Sequence, residues 1–543
     1  MPAMSAGHAI VRTLEAHGVE RLYEVPGESF LDVLDGLAET SIRTVVCRHE
    51  GGAAYAAEAE GKMLGRPGVA MVTRGPGASN AMIAVHQAWQ DATPLVLFIG
   101  LVPVADRDRE SFQEFDPRAW FGSTAKRVFI LDDPSHASMV VAEAFRAAMS
   151  GRRGPVVIGL PEDVIREEAG AENVAPLPLA DGAVSAADLD AVREALAAAE
   201  RPILYTGGNA WTPDSARRIA AWAEASGIPA VTEWRANGVV PSDSPAYAGS
   251  LGYGRNDETA HAFDEADLVL AIGAVIGDVA TDGYALRQGR ERSTIVISPD
   301  AELLGHSGSL TRHILATPES AAAALEGVDV PASAARAEWL RGLREQQARS
   351  AELPSAEPGE GAASMSTLFA RLVPELPADA MVTMGAGNHT AWAHRFFPTR
   401  AYPSLISSRN GSMGYSIPAA VAASLSFPER TVVAVCGDGE FMMNANELAT
   451  ARQHGANPLV IVMDNAQFGT IRSHQEHWYP GRISGTQLQN PDFAAMSEAM
   501  GGFGALVERD ADVPAALEAA LAAVREGRHA LIHLRVDPAV LLP

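Results

Sequence analysis

Cysteine is nearly missing from this chain: 543 residues contain only Cys47 and Cys436. No CxxC spacing exists, which argues against a thiolate zinc site and a disulfide framework. Each cysteine lies near the end of an apolar strand-like run and reads as a buried inert thiol, in keeping with a reducing cytosol. Long apolar runs are missing too. The longest uncharged one, PLVLFIGLVPVA at 94–105, is too short to cross a bilayer. The opening residues, MPAMSAGHAIVRTLEAHG, lack a charged leader before an apolar core and read as an amphipathic helix. A cytoplasmic protein without a membrane partner is expected. Basic charge is scarce, with 42 Lys and Arg against 67 Asp and Glu, so the formal net charge is −25. That balance argues against nucleic acid or an anionic membrane surface as the target. It leaves room for a local basic site that holds an anionic cofactor.

What is present is an ordinary globular balance, 47% apolar and 20% charged. The length is too great for one core and suggests roughly three or four domains. Two stretches rich in Ala, Pro, Gly and acid, 167–186 and 350–364, read as linkers and divide the chain into about 1–165, 187–340 and 365–543. Every piece alternates short β-branched runs with helical patterns. The first has IRTVVC, GVAMVT, PLVLFIG and PVVIGLP; the second RPILYTGG, ADLVLAIGA and STIVISPD; the third TVVAVC, NPLVIVMD and ALIHLRV. Apolar strands without strict alternation, separated by helices, imply parallel sheets covered on both faces. The expected fold class is α/β, with three domains that each hold a parallel sheet flanked by helices. In such sheets ligands bind beyond the carboxyl ends of strands.

The segment CGDGEF (436–441) follows the strand-like TVVAVC, and Asn465 closes the next strand-like run 27 positions after Asp438. Asn444 with Glu447 resembles a capping box, and Gly455 suits a helix end, so 445–454 reads as a helix. The βαβ unit brings Asp438 and Asn465 to the same sheet edge. Both offer hard oxygen atoms of the kind Mg²⁺ takes alongside phosphate oxygens. Gly437 and Gly439 let the backbone approach a diphosphate without Cβ interference. Alone, GDG is a common turn; tied to a βαβ unit and a strand-end Asn, it reads as a Mg²⁺–diphosphate clamp.

The whole segment GDGEFMMNANELATARQHGANPLVIVMDN resembles the thiamine-diphosphate-binding motif. The resemblance adds Glu440 to the cofactor-binding residues and implies the backbone carbonyl of Gln467 as the third protein ligand of Mg²⁺. VVCRHEGG is similar to the family's RHE segment and points to Glu50 as the carboxyl that meets the cofactor's pyrimidine ring. A carboxyl group in a mostly apolar pocket suits that task, because burial favours its protonated form. Nearby Glu58 and Glu60, inside the helix, read as solvated or structural. SRNGSMGYSIPAA (408–420) resembles the pyrimidine segment, with Gly411 offering a carbonyl and Met413 wedging under the cofactor. AGNHTAW (386–392) resembles the diphosphate-contacting GQH segment and points to Gly387, Asn388 and His389. RGPGASN (74–80) resembles a GPGATN loop that carries Asn80, and SFQE (111–114) an FQE whose Gln113 would line the substrate side. The likeness spans nearly the whole chain and is nearest to the acetolactate-synthase-like group. It implies pyrimidine-binding, middle and diphosphate-binding domains in that order. In that group one cofactor is served by two subunits, which implies at least a homodimer and commonly a homotetramer.

Three departures stand out. GSLGYGRND (249–257) and AVIGDVATD (274–282) replace segments that hold FAD in the synthases; they count against FAD, although TGGN (206–209) retains a turn that could support a nucleotide. IRSHQEHWY (471–479) puts His474 where the synthases have a substrate-selecting Trp; an imidazole there can relay a proton, or merely hydrogen-bond in its helix. EVPGESF (24–30) places Glu28 where several simple decarboxylases have an acid, to protonate or orient a substrate, or simply to start a helix. The expected activity is decarboxylation of a 2-oxo acid, pyruvate first, with carboligation to a second carbonyl acceptor. The alternatives are a non-ligating decarboxylase and a lyase of 2-hydroxy ketones or diketones. The chain ends HALIHLRVDPAVLLP, with no basic tail to grip coenzyme A.

Overall fold

A computed structural model describes residues 4–170, 175–236, 238–288, 292–303, 310–355, 359, 361–540 and 542–543. Both proposed linkers fall partly outside these residues, at 171–174 and at 356–358 and 360. The described residues form three six-stranded sheets. The first holds β1 Arg21–Glu24, β2 Arg43–Val46, β3 Gly68–Thr73, β4 Leu95–Leu101, β5 Arg127–Ile130 and β6 Pro155–Pro161. The second holds β7 Pro202–Thr206, β8 Ala230–Thr232, β9 Tyr247–Ser250, β10 Leu268–Ile272, β11 Ser293–Ser298 and β12 Arg312–Leu315. The third holds β13 Met381–Met384, β14 Leu405–Ser407, β15 Val432–Gly437, β16 Leu459–Asp464, β17 Phe503–Val507 and β18 Ala530–Arg535.

All paired strands of these sheets run parallel. The apolar runs explain why. Along β10, Leu268, Leu270 and Ile272 pack into one buried cluster while Val269 and Ala271 pack into another. Both faces are covered, as a parallel sheet requires. The first sheet has the order β2-β1-β3-β4-β6-β5, and the third repeats that pattern as β14-β13-β15-β16-β18-β17. The second differs: its order, β12-β11-β10-β7-β8-β9, is that of a Rossmann sheet, which reverses between β7 and β10.

By compactness the chain forms two units. One contains Met1–Ala180 together with Val421–Ser426 and Asn444–Ala456; the other contains Asp181–Ala420, Phe427–Met443 and Asn457–Pro543. The capping box read at Asn444 and Glu447 does not form. A helix starts at once on Asp438, runs to Asn444, and a second spans Glu447–His454 with Gly455 left-handed at its end. The Glu447 carboxylate instead accepts the backbone N–H groups of Arg48 (3.1 Å) and His49 (3.0 Å). It therefore orders the turn that precedes Glu50, a tertiary role that local spacing does not reveal. Glu58 and Glu60 are structural rather than solvated. Glu58 pairs with buried Lys62 at 3.2 Å, and Glu60 takes the Tyr23 hydroxyl at 2.6 Å and Arg21 at 2.7 Å.

Candidate active site

In the second unit, the third sheet changes direction between β13 and β15, and a cavity of about 250 Å³ opens at the carboxyl ends of β13, β15 and β16. The turn after β13 supplies Gly387, Asn388 and His389; the 408–413 loop supplies Gly411 and Met413. The end of β15 supplies Gly437, Asp438, Gly439 and Glu440, and the turn after β16 supplies Asn465 and Gln467. All of the residues expected from the third domain to contact a cofactor thus line one pocket. Glycine is needed in two places. A Cβ on Gly439 would stand 2.5 Å from the Phe468 ring, and one on Gly387, where φ is +146°, 2.7 Å from the His389 ring.

Asp438, expected to hold Mg²⁺, has supports that its sequence context does not reveal. Asn490 Nδ2 donates to Asp438 Oδ2 (2.7 Å) and to Asp464 Oδ1 (2.8 Å), bridging two carboxylates at the ends of adjacent strands. Buried His533 stands with Nε2 2.8 Å from Asp464 Oδ2 and Nδ1 3.3 Å from the Phe493 N–H. Because Nδ1 faces a donor, the ring proton belongs on Nε2, which donates to Asp464. Burial pushes the Asp438 carboxyl up, and the Asp464 charge beside it adds to that shift. Burial opposes ionisation of Asp464 as well, but bonds from His533, the Ala466 N–H and Asn490 together hold it below the usual carboxylate range. A cation beside Asp438 would relieve this repulsion. Gln467 commits its side chain elsewhere, donating to Pro538 O (2.8 Å) and accepting from Arg472 (2.6 Å). Its neighbours bond across a short antiparallel bridge, through Ala466 O and Phe468 N–H, so the Gln467 carbonyl faces away from that bridge. One carboxylate, one amide and one carbonyl match the ligand types of Mg²⁺. Among the described residues no cluster of three or more His, Cys, Asp or Glu exists that would offer another metal a site.

The diphosphate half also fits. Asn388 Oδ1 accepts from Thr470 (2.7 Å), while its buried Nδ2 has no hydrogen-bond partner, leaving a donor in the pocket wall. His389 Nε2 lies 2.9 Å from Glu440 Oε2, both side chains buried, and Glu440 Oε1 accepts the Ser416 N–H at 3.2 Å. Phe468, Met463 and Val540 complete an apolar wall.

The first unit gathers Glu50, Asn80, Gln113 and Glu28 at the carboxyl edge of its own sheet. Glu50 opens the helix Glu50–Leu64, half-buried, and its Oε2 accepts from Asn80 Nδ2 at 2.9 Å. RGPGASN is not a loop but opens the helix Arg74–Asp91, and it meets the FQE segment through Gly75 N–H and the Gln113 carbonyl (3.0 Å); Gln113 itself is left-handed, φ +64°. Glu28 is largely exposed and stands 3.2 Å from Arg74, which also holds Glu162 at 2.7 Å. His474 is exposed on the helix Gly469–Trp478; the pocket lining follows that helix only as far as Ile471. The sequence reading also passed over Glu24. It closes β1, is buried, and burial raises its carboxyl to about 7. An acid closing a short strand directly after Leu22 and Tyr23 is the available signal.

Models of three thiamine-pyrophosphate-enzyme domains match the chain: the N-terminal TPP-binding domain over 4–120, the central domain over 189–325 and the C-terminal TPP-binding domain over 385–534. The chain is 31% identical over 540 residues to the acetolactate synthase isozyme 2 large subunit of Escherichia coli K12, covering 98% of this chain and 96% of that one. It is 30% identical to the acetolactate synthase large subunit of Corynebacterium glutamicum (95% and 84%) and to probable acetolactate synthase 2, chloroplastic, of Oryza sativa subsp. japonica (95% and 80%). Three parallel sheets, a glycine-lined pocket at the end of the third and full-length similarity converge on one conclusion: the chain belongs to the thiamine-pyrophosphate enzymes, in the group of the acetolactate synthase large subunits.

Proposed function

We propose that the protein is a thiamine-diphosphate- and Mg²⁺-dependent enzyme that decarboxylates a 2-oxo acid, pyruvate first among them, and joins the remaining fragment to a second carbonyl compound. The observation that carries this reading is the meeting of Asp438, Asn465, Asn388 and Met413 in one pocket at the sheet's point of reversal. When bound, thiamine diphosphate would supply a nucleophilic carbon and, in its thiazolium ring, the electron sink that decarboxylation of a 2-oxo acid requires. Asp438, the Asn465 amide and the Gln467 carbonyl would hold Mg²⁺. The free Asn388 amide and the His389 ring would bind phosphate oxygens, and Gly437 and Gly439 keep side chains out of their way. Met413 and Phe468 would exclude water from the reacting side, and the Gly411 carbonyl would accept from the aminopyrimidine. Glu50, oriented by Asn80, would hold a proton on the pyrimidine ring. Gln113 would line the substrate side, with Glu28 available to orient the acceptor.

Residues 1–165, 187–340 and 365–543 are assigned as the pyrimidine-binding, middle and diphosphate-binding domains. The active form is assigned as at least a homodimer, commonly a homotetramer, acting in the cytoplasm. Among the described residues no helix is long and apolar enough to cross a membrane. The test is product analysis with pyruvate, alone and with an added aldehyde or 2-oxo acid. CO₂ and an acyloin or 2-hydroxy-2-alkyl acid should form only when both thiamine diphosphate and Mg²⁺ are supplied. Free aldehyde as the sole product would make the protein a non-ligating decarboxylase. Absence of cofactor-dependent CO₂ from a panel of 2-oxo acids would overturn the proposal.

A further inference from the structure

The second sheet reverses between β7 and β10, and in an open parallel sheet that point is where a nucleotide would be expected. The turn there is Gly207–Gly208, in the TGGN segment that could support a nucleotide by its sequence. The chain fills it with its own groups. Glu233, the residue after β8 and 2% exposed, places Oε2 3.0 Å from the Gly208 N–H. A Cβ on Gly207 would stand 2.1 Å from that same oxygen. Trp211 Nε1 donates to the Gly207 carbonyl at 2.8 Å, and a Cβ on Gly208, where φ is +71°, would stand 2.3 Å from the Gly273 carbonyl. The N–H that a dinucleotide's phosphates would need is already bonded to a buried carboxylate, and a second anion would meet like charge. The residues present do not fit FAD.

The same segment reaches the other way, toward the pocket loops. Glu233 Oε1 stands 2.8 Å from Arg409 Nη2, in the loop that carries Gly411 and Met413. Arg235, buried and left-handed at φ +58°, donates from Nη1 to Ser408 O (2.9 Å) and Gly385 O, and from Nη2 to Thr390 Oγ1 (3.3 Å). Thr390 in turn donates to the Gly387 carbonyl at 2.7 Å. The Arg235 guanidinium lies 4.3 Å from the centre of the Trp234 ring, which fixes its plane. Two charged side chains, one on either side of Trp234, thus tie the 385–390 turn and the 408–413 loop to one strand end of the middle sheet.

We propose that the crevice of the middle sheet is a clamp rather than a flavin site: Glu233 and Arg235 are positioning residues that set the 408–413 loop for the pyrimidine end of thiamine diphosphate. This rests on the function proposed above. The Glu233–Arg409 pair acts on the 408–413 loop, whereas the metal ligands stand at the ends of β15 and β16 and the 385–390 turn is held by Arg235, so losing that pair should matter for the pyrimidine end of the cofactor and not for the diphosphate end. The test uses the full chain and titration calorimetry with two ligands, thiamine diphosphate plus Mg²⁺ and inorganic pyrophosphate plus Mg²⁺. Losing one buried charged hydrogen bond in Glu233→Gln should weaken thiamine diphosphate about tenfold or more while leaving pyrophosphate within about twofold. Arg409→Gln should do the same, and the double variant should add little further, because the two remove one interaction. Glu233→Asp, which keeps the charge, should recover part of the loss. Wild-type protein incubated with FAD and desalted should carry no flavin absorbance. Retained flavin, equal losses for both ligands, or unchanged thiamine diphosphate affinity in both single variants would each overturn the clamp. A wild type that binds no thiamine diphosphate would overturn the functional proposal, and the clamp with it.

Discussion

Glu24 offers a measurement of what a buried acid does to this protein. It is 3% exposed at the end of β1, its Oε2 has no hydrogen-bond partner, and burial alone raises its carboxyl from 4.5 to about 7. The unfolded chain releases this proton near 4.5 and the folded chain near 7, so folding must retain a proton that solvent would remove. Stability is therefore unaffected below about 4.5, falls as the pH rises, and stays lower above about 7. A separation of about 2.5 pH units corresponds to about 3 kcal/mol. Glu24→Gln keeps the shape and removes the titration. At pH 5 its unfolding midpoint should lie near the wild type's. At pH 8 it should lie higher, by about 6–12 °C for a cooperative unit of about 200 residues. Thermal unfolding followed by near-UV circular dichroism, without cofactor and at constant protein concentration, gives both curves. If wild type and variant change in parallel between pH 5 and 8, the argument from burial is wrong.

Three further outcomes are expected. Asn490→Ala frees the Asp438 carboxylate from its support, and Mg²⁺-dependent binding of thiamine diphosphate should weaken about 10–100-fold with little change in the unfolding midpoint. Glu50→Gln should bind thiamine diphosphate about as well as wild type yet lose turnover by about 10²–10⁴-fold, seen by pairing calorimetry with CO₂ release. Burial holds both thiols well above their ordinary range, so native protein should give no reaction with a thiol reagent at pH 8, whereas protein unfolded in guanidinium should release two equivalents.

The long apolar strands were legible because burial on both faces removes alternation and leaves runs such as LVLFIGL and LVIVMD. The strands that the sequence hides are short, and most lie at sheet edges: β5, β12 and β17 bury less and carry charge or glycine, β9 is four residues with a glycine, and β14 is only three residues long. The pocket was legible because its residues cluster in four short segments at strand ends, each anchored by a glycine or a strand-end polar group. Its supports were not. Asn490, Asp464 and His533 lie in three separate segments and meet only through tertiary folding. Glu447 mimicked a local cap because its spacing suited one, yet its partners are nearly 400 positions away in sequence. His474 is exposed on its helix, past Ile471, the last residue of that helix to line the pocket.

Residues 444–456 belong with Met1–Ala180 although the chain reaches them only after most of the other unit has been made. On the ribosome, then, the helix that begins at Glu50 emerges long before the carboxylate that secures its first turn, and Arg48 and His49 keep two unpaired amides until Glu447 is synthesised. The nascent amino-terminal portion is an incomplete folding unit, and a truncated product ending in the 350–364 region would expose that defect permanently. Recombinant dissection of this protein into separate thirds should accordingly yield a first fragment prone to aggregate, whereas supplying the remaining polypeptide in trans would restore the missing partner.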